Sequence, residues 1–250
     1  MITQKFEASP ALSRYIKCYW YYHVKPKAIK LFEVLPDGHF DLVLMIKAGK
    51  ILDTRLTGIW TKSASISYDE EMEVLGVCFN PIAAGGLLPL SIKSLLDDSE
   101  SNTLNNFNLN EQLIIGYLSQ PQLLVHYLNL QFEKFLANNF VDLRVKKCFE
   151  LVDDSDGKIT VKEISEIVGL SPRQIHRLVT NMIGIGIKEY AQITRFKRSL
   201  VEVKKSHSNY YHYYDQSHFI REVKKYAGFQ PQKMDLRNDD RFIQYYYFPE

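Results

Sequence analysis

Short runs of alternating apolar and polar residues characterise the first hundred positions of the chain. In the stretch "HFDLVLMI", Phe40, Leu42, Leu44 and Ile46 recur at every second position, which is the period of a half-buried β-strand. The stretches "KCYWYYHV" and "EVLGVCFNP" are rich in aromatic and β-branched residues, and "LPDG" has the composition of a turn. Several short strands separated by turns predict a β-rich domain, either a sandwich or a small barrel.

Between Leu109 and Leu151 the apolar residues become spaced three and four apart, as in "LVHYLNLQFEKFLANNF", and this spacing predicts helices. Three further helices follow. In the first, Ile164, Ile167 and Val168 form a short apolar stripe before Gly169.

The next helix has a strong start signal, because Ser171 can cap it and Pro172 suits its first position. Its apolar face is expected to contain Ile175, Leu178, Val179 and Met182. The third helix is predicted from about Ile187 to Lys205, burying Ile193, Phe196, Leu200 and Val203.

A helix, a short turn around glycine and a second helix with a basic outer face make the pattern of a helix-turn-helix. The second helix of such a unit presents its N-terminal side chains to base edges, while neighbouring groups contact phosphates. Arg173 and Arg177 can donate to guanine or phosphate, and Gln174 can donate to adenine. An ordinary helical pair with a solvated charged face has the same spacing, so the pattern alone leaves both interpretations open.

The polar stretch "DDSDGKITVKEI" also has two interpretations. Its Asp154, Asp156, Gly157 and Glu163 fit the third, fifth, sixth and twelfth positions of a calcium-binding loop. Val152 would then occupy the first position, where a side-chain oxygen is needed. The sequence therefore favours a hinge over residues 153–158, in front of a separate C-terminal domain.

Composition narrows the class of protein. A hydrophobic content of 46% excludes general disorder. The cysteines Cys18, Cys78 and Cys148 are far apart and form no CxxC pair, which argues against a disulfide framework and a zinc site and suits the cytoplasm. The first residues contain no apolar leader and no stretch has the composition of a membrane span, so no membrane association is expected.

Charge is distributed unevenly along the chain. Residues 158–237 carry 15 Lys and Arg against 7 Asp and Glu, whereas residues 1–157 carry 15 against 19. A basic C-terminal third attached to a mildly acidic remainder indicates a module that binds a polyanion and a separate partner domain.

The stretches "ITVKEISEIVGLSPRQIHRLVTNMIGIGIKEYAQITRFKRSL" and "YYDQSHFIREVKKYAGFQP" resemble the DNA-binding domain of AraC-type (AraC/XylS family) transcriptional regulators. The resemblance covers Ile159 to about Met234, roughly a third of the chain. It implies two helix-turn-helix units whose recognition helices, Pro172–Met182 and Asp215–Tyr226, enter successive turns of the major groove. The 19-residue joining helix would span about 28 Å.

The residues available for DNA come from three helices. On the first recognition helix and its cap they are Ser171, Pro172, Arg173, Gln174, His176, Arg177 and Thr180. The joining helix is expected to contribute Arg195, and the second recognition helix Gln216, Ser217, His218, Arg221 and Lys225, with Asp215 as its N-cap.

The chain departs from the family pattern at three places. Ile187 replaces the proline that usually opens the joining helix, and His212 replaces a glycine. Only nine residues, Ser206–Tyr214, precede Asp215, so the second unit is expected to be shortened. An alternative function follows, in which the second helix-turn-helix is degenerate and the chain is an interaction protein that does not bind DNA.

The N-terminal stretches "LPDGHFDLVL" and "GVCFNPIAAGGLLPLSIKSLLDD" are similar to sensory domains that precede this module, which implies a cupin-like fold binding a small effector or supporting dimerisation. The residues that could line an effector pocket are Tyr19, Trp20, Tyr22, His39 and Trp60, with core packing as the alternative for the aromatic ones. His23, Asp37 and His39 lack the close spacing of a metal cupin, so no metal, no cofactor and no enzymatic activity are expected.

The predicted fold class is therefore α+β, with a β-rich cupin-like or sandwich domain before an all-α double helix-turn-helix domain. The predicted segments are an effector-binding domain (1–107), a helical connector or dimerisation segment (108–152), the hinge (153–158), the DNA-binding domain (159–236) and an aromatic tail (237–250). The expected function is sequence-specific DNA binding by a bacterial activator or repressor. Expected partners are double-stranded DNA, RNA polymerase, a small-molecule effector and a second copy of the chain.

Overall fold

Two antiparallel sheets form the N-terminal domain, named the β-domain. The computed structural model describes residues 2–25, 29–88, 90–136, 142–205, 216–231 and 241–242. Within these residues the strands are β1 (Ile2–Phe6), β2 (Ile16–Val24), β3 (Lys30–Val34), β4 (Phe40–Lys47), β5 (Lys50–Thr57), β6 (Ala64–Tyr68), β7 (Met72–Phe79) and β8 (Ser99–Ser101). The large sheet has the order β1-β2-β7-β4-β5-β8, and β3 pairs with β6 in a small second sheet.

The alternation in "HFDLVLMI" does place one set of side chains in the core. Phe40, Leu42, Leu44 and Ile46 are fully buried on the face of the large sheet that packs against the helices. The other face of the same sheet looks toward β3 and β6, where Tyr22, Val24, Phe32, Tyr68, Met72 and Val74 form a second apolar cluster. Both faces are thus covered, and this arrangement creates the space between the sheets that is described below.

The helical part follows the sheets, as predicted. In the described residues the helices are α1 (Glu111–Tyr117), α2 (Pro121–Leu136), α3 (Leu143–Asp154), α4 (Val161–Val168), α5 (Pro172–Ile183), α6 (Ile187–Lys205) and α7 (Gln216–Ala227). The α+β fold class, with a β-rich domain before an all-α part, is confirmed. The interval 206–215, including Asp215, lies outside the described residues, so the predicted shortening of the second unit stays a prediction.

Local sequence explains the ends of α4 and α5. Each helix begins with a capping box, Thr160 with Glu163 and Ser171 with Gln174, which satisfies backbone N–H groups of the first turn. Gly169 and Gly184 end the two helices in the left-handed conformation that glycine adopts without steric cost. The three-residue turn between the helices is the one that the sequence predicts.

One expected core position in α4 is wrong. Ile164 and Val168 are buried, but Ile167, predicted to complete their stripe, is 57% exposed. Positions 164 and 168 are four apart and share one face, whereas residue 167 lies about 100° from 168 on the side where no other element covers it.

The predicted hinge is a packed connection in the structure. Asp153 and Asp154 belong to α3, and the Tyr190 hydroxyl donates a hydrogen bond to Asp153 Oδ1 at 2.8 Å. Arg198 Nε of α6 lies 3.0 Å from Asp156 Oδ1. Gly157 sits against the backbone of α6 with a φ of +74°. These contacts fix α3 and the 155–158 turn to the joining helix instead of leaving a flexible link.

We expect Gly157→Ala to destabilise the protein by about 3 kcal/mol, because the new Cβ would overlap the Ala191 carbonyl oxygen in a conformation that alanine disfavours. Gly169→Ala is the matched control. Its φ is +68° but nothing lies within 4 Å of an added Cβ, so we expect a loss of about 1 kcal/mol. Urea unfolding of both variants measures the difference. Equal losses would show that the 157 turn is not held against α6.

The β-domain contacts the C-terminal ends of two helices. Ser91 Oγ donates to the Asn181 carbonyl at 2.6 Å, and the Ile92 N–H donates to the Met182 carbonyl at 3.1 Å, both in the last turn of α5. Ser63 Oγ donates to the Ala227 carbonyl at the end of α7, at 3.1 Å. Carbonyl groups of a last helical turn have no partner within their helix, so the β-domain supplies partners to both helices in the same way.

The aromatic tail contacts its own chain where it is described. The Glu33 N–H of β3 donates to the Arg241 carbonyl at 2.7 Å. Phe242 is buried and its ring lies 5.7 Å from that of Phe229. The remaining tail residues, 237–240 and 243–250, lie outside the described residues.

Candidate functional site

The N-terminal turn of α5 carries an exposed polar and basic surface. Ile175, Val179 and Ile183 are buried, and Thr180 is half-buried beside them. The residues of the exposed set are Ser171, Pro172, Arg173, Gln174, His176 and Arg177. Because the β-domain contacts the other end of this helix, its N-terminal turn is the end that projects into solvent. The positive end of the helix dipole and the two guanidinium groups near it favour binding of a polyanion.

Gln174 has a structural contact in addition to its predicted role. Its Oε1 accepts hydrogen bonds from the Ser171 backbone N–H at 2.9 Å and from the Ser171 hydroxyl at 2.8 Å. The capping box therefore uses the carbonyl oxygen of the side chain and fixes its direction. The amide nitrogen is the group that would reach a base.

The N-terminal half of α7 presents a similar surface. Phe219, Val223 and Tyr226 are buried against the helical core. Gln216, Ser217, Arg221 and Lys225 are exposed and His218 is half-buried. Lys225 Nζ lies 4.4 Å from the centre of the Tyr226 ring and 2.9 Å from the Tyr226 hydroxyl, so this cation is held along its own helix.

The joining helix α6 has no exposed arginine at position 195. Arg195 is half-buried, with its Nε enclosed by protein. Two residues further along α6, Lys197 reaches the β-domain, where its Nζ lies 3.2 Å from His39 Nε2. One helix thus contacts the α5 side of the molecule and the interior of the β-domain.

A cavity of about 540 Å³ lies between the two sheets. This volume is within the usual range of small-molecule sites. Its floor is the face of the large sheet that looks toward β3 and β6, and its walls come from these two strands, through residues such as Phe32 and Ile66. Arg55 and Lys5, both exposed, are part of the lining, so the cavity reaches solvent.

Two rows of side chains make up much of the cavity floor. Strand register places Cys18, Cys78 and Asp41 in one row across β2, β7 and β4, and Trp20, Gly76 and Val43 in the next. A side chain at Gly76 would overlap the Trp20 indole, which therefore lies flat on the glycine. Trp20 Nε1 donates to Asp41 Oδ1 at 2.9 Å, and the Trp20 ring stacks with that of Tyr22 at 5.5 Å.

Apart from Arg55, which lies opposite Val43 on β5, the charged residues that line the cavity are near the Asp41 row. Lys5, Lys17 and Lys197 line it together with the carboxyl groups of Asp37 and Asp41. Lys17, Lys197 and Lys5 also act on the adjacent His39, whose pKa is lowered well below its ordinary value, first by burial and then by these charges. The cavity is therefore apolar along most of its length and carries three ammonium groups at one end.

Three of the five residues predicted to line an effector pocket do line this cavity, namely Trp20, Tyr22 and Trp60. Tyr19 lies on the opposite face of β2, where its hydroxyl donates to Asn129 Oδ1 at 2.9 Å. His39 is outside the lining and contacts two lining residues, since its Nε2 lies 3.2 Å from Lys197 Nζ and its backbone N–H donates to Asp37 Oδ1 at 3.0 Å.

The sequence did not predict the charged end of the cavity or most of the residues of its floor. Val43 and Met45 occupy strand positions that would be polar on a solvated face, and this was the signal that the second face is covered. Nothing in the local sequence indicated that Lys197 of a distant helix enters the same space.

Asp41 is expected to make stability depend on pH. Burial, followed by the charge of Asp37, raises its pKa from 3.8 to about 7. The Asp41 side chain faces the cavity and is half-buried. A carboxyl group whose pKa is raised on folding binds its proton more tightly in the folded state, so the free energy of unfolding falls as pH rises from about 4 to about 7.

The Asp41→Asn variant keeps the oxygen that accepts from Trp20 and has no charge. We expect it to match the wild type near pH 4 and to be more stable by about 1 to 2 kcal/mol near pH 8, after allowance for solvent in the cavity. Thermal unfolding of both proteins across this range measures the effect. A difference that does not change with pH would contradict a raised pKa at Asp41.

The described part of the chain contains neither a candidate metal site nor a candidate transmembrane helix. No group of three His, Cys, Asp or Glu side chains there is arranged to hold a metal ion. None of the described helices combines the length and the apolar composition needed to cross a bilayer.

Comparison with known proteins gives one family and one group of structures. Residues 4–101 match the family described as Domain of unknown function (DUF6597). This match covers the β-domain. No curated protein matches the chain.

The similar solved structures are of ToxT from Vibrio cholerae. A structure at 1.65 Å resolution is 14% identical, with a TM-score of 0.46, and the alignment covers 86% of this chain and 96% of ToxT. ToxT bound to (E)-4-(8-methylnaphthalen-1-yl)but-3-enoic acid is 12% identical, with a TM-score of 0.46 and coverage of 93% and 98%. ToxT with a bound unsaturated fatty acid is 15% identical, with a TM-score of 0.45 and coverage of 85% and 92%.

Proposed function

We propose that the protein is a sequence-specific DNA-binding transcription regulator of the AraC type, modulated by a ligand in the β-domain cavity. The observation that carries the proposal is the orientation of α5. Its C-terminal turn is hydrogen-bonded to the β-domain, and its N-terminal turn carries Arg173 and Arg177 exposed. A helix presented in this way can enter a major groove without obstruction from its own domain.

In this proposal both α5 and α7 contact DNA. Arg173 and Arg177 of α5 supply base and phosphate contacts, and Arg221 of α7 supplies a second basic surface. The capping of both helices by serines of the β-domain fixes their C-terminal ends on one scaffold. A change in that scaffold would alter the spacing of the two helices and hence their fit to DNA.

The ligand that fits the cavity is an anion with an apolar body. The aromatic and aliphatic side chains of Trp20, Tyr22 and Val43 would contact the body, and the ammonium groups of Lys17 and Lys197 would contact the anionic group. Asp41 opposes an anion when it is charged, so a carboxylate ligand would bind more tightly below about pH 7. Dodecanoate has this chemistry and serves as a probe.

Lys197 provides the physical link between ligand and DNA. It lines the cavity but belongs to α6, which follows α5 after a short turn. A ligand that binds Lys197 more tightly in one position of α6 would favour that position, and this is the condition for allosteric control.

The test of DNA binding is salt dependence. DNA selected from random sequence by the full-length protein should lose affinity steeply as salt rises, since each phosphate contact releases a counterion. Fluorescence anisotropy at several salt concentrations gives the slope. Absence of any selected fragment at low salt would exclude the proposal.

An interaction protein is the second candidate. It is favoured by Ile167 and Leu143, apolar side chains of α4 and α3 that are 57% and 73% exposed. A partner protein such as RNA polymerase or another regulator would cover such residues. This candidate gives no DNA signal in the salt experiment, so the same measurement separates the two.

A further inference from the structure

Two cysteines face each other on the cavity floor. Cys18 of β2 lies directly opposite Cys78 of β7 in the antiparallel pairing. Residues opposed in this way have Cα atoms about 4.5 to 5.5 Å apart, which is inside the range that a disulfide spans. Both thiols are free and both line the cavity. The third cysteine, Cys148, is buried in α3 and has no such neighbour among the described residues.

We propose that Cys18 and Cys78 form a reactive dithiol, which small hydroperoxides entering the cavity oxidise to a reversible cross-strand disulfide. The proposal concerns a modification site and does not depend on DNA binding. Disulfides in reducing compartments are typically transient and regulatory, which is the role that a cavity-facing pair of free thiols suits.

The surroundings distinguish the two thiols. A hydrogen bond from the Cys78 thiol lowers the pKa of Cys18, and the charges of Lys5 and Lys17 act in the same direction. Cys18 is therefore the attacking thiolate, because the thiolate is the nucleophilic form. The pKa of Cys78 is raised well above its usual range by the same hydrogen bond and by burial, so Cys78 keeps its proton until the second step.

The chemistry balances with the hydroperoxide as the oxidant. The Cys18 thiolate attacks the terminal oxygen, the O–O bond breaks, and the alkoxide or hydroxide leaves as an alcohol or water after taking a proton. Cys18 becomes a sulfenic acid. The Cys78 sulfur then attacks the Cys18 sulfur and the S–O bond breaks, so that the proton of Cys78 leaves with the hydroxide as water. Two electrons pass from the thiols to the O–O bond.

Asp41 is placed to carry the proton in the second step. It lies directly opposite Cys78 on the neighbouring strand β4, so its carboxylate can take the proton that Cys78 releases. Trp20 Nε1 donates to Asp41 Oδ1, so a change at Cys78, which lies opposite Asp41, alters the environment of the indole. A disulfide close to Trp20 should lower its fluorescence.

The test uses reduced full-length protein without DNA, treated with an equimolar amount of hydrogen peroxide. We expect two of the three thiols to disappear, the intact mass to fall by two hydrogen atoms, and digestion to yield a peptide pair joined through Cys18 and Cys78. Dithiothreitol should restore both thiols. In a Trp60→Phe background, which leaves Trp20 as the tryptophan, fluorescence should fall on oxidation and recover on reduction.

Three single Cys→Ser variants distinguish a specific Cys18–Cys78 disulfide from general oxidation of thiols. Cys148→Ser should form the link like the wild type, since burial raises the pKa of Cys148 to about 11. Cys18→Ser and Cys78→Ser should form none. Three thiols that stay reduced in the folded protein would overturn the proposal, as would a sulfinic acid on Cys18 without a link or a link between two molecules. None of these outcomes depends on whether the protein binds DNA.

Discussion

Replacing Arg173 and Arg177 together by alanine is expected to lower the affinity for a selected DNA site about 1,000-fold, since each arginine contact to a base or phosphate contributes roughly 1 to 3 kcal/mol. Both side chains are exposed on the first two turns of α5 and neither contributes to its buried face. The fold should therefore be unaffected, and urea unfolding should give the wild-type stability. Fluorescence anisotropy with the selected fragment measures the loss.

The matched control removes the same charge elsewhere. Lys47→Ala with Lys50→Ala takes two cations from the β4–β5 hairpin, which belongs to the N-terminal sheet and not to the helical part. We expect the control to change the affinity less than about threefold, through the general electrostatic field alone. Equal losses in the two double variants would mean that DNA contacts the protein without using α5 as a recognition helix.

The Lys197→Glu variant is expected to lose about 1,000-fold in affinity for dodecanoate, because a like charge placed against an anion in a cavity costs several kcal/mol. The prediction follows from the position of Lys197 among the cavity-lining residues and from its contact with His39. Titration followed by tryptophan fluorescence measures binding, since Trp20 and Trp60 both line the cavity. In the same variant, dodecanoate should no longer alter DNA affinity.

The control for this variant lies on the same helix. Lys188→Glu makes the same charge change on α6 at an exposed position. It should bind dodecanoate as the wild type does. Wild-type binding by Lys197→Glu would place the anionic group elsewhere, and dodecanol binding as tightly as dodecanoate would show that the lysines do not recognise charge at all.

Much of the fold was predictable because local signals determine it. The capping residues Ser171 and Pro172 and the periodicity from Ile187 to Lys205 gave the bounds of α5 and α6 closely, since caps and apolar stripes depend on residues a few positions apart. Period-two alternation likewise identified the buried face of β4.

The parts that could not be predicted depend on distant contacts. Asp41 meets Cys78 through strand pairing, and Lys197 meets His39 through packing of a helix on the β-domain. Local periodicity carries no information about either partner. The turn at Gly157 is a second example. The composition of residues 153–158 indicated a hinge, whereas the contact of Gly157 with the Ala191 backbone makes this segment a packed turn.

The predicted DNA-contacting residues also differ in whether local sequence was enough to predict their exposure. Those at the N-terminal turn of α5 are exposed, as local helix geometry suggested. Arg195 is half-buried, because the side of α6 that it occupies faces the turn around Gly157. The role of α7 stays a prediction that depends on the interval before it.

A footprint of the protein on its selected DNA fragment, taken at low and at high salt, tests the central claim most directly. The account predicts protection of at least one major-groove turn at low salt, weakened at high salt and lost in the Arg173→Ala, Arg177→Ala double variant. Protection of two adjacent turns would add α7 as a second recognition helix. An unprotected fragment at low salt, or protection unchanged in the double variant, would contradict DNA recognition by α5.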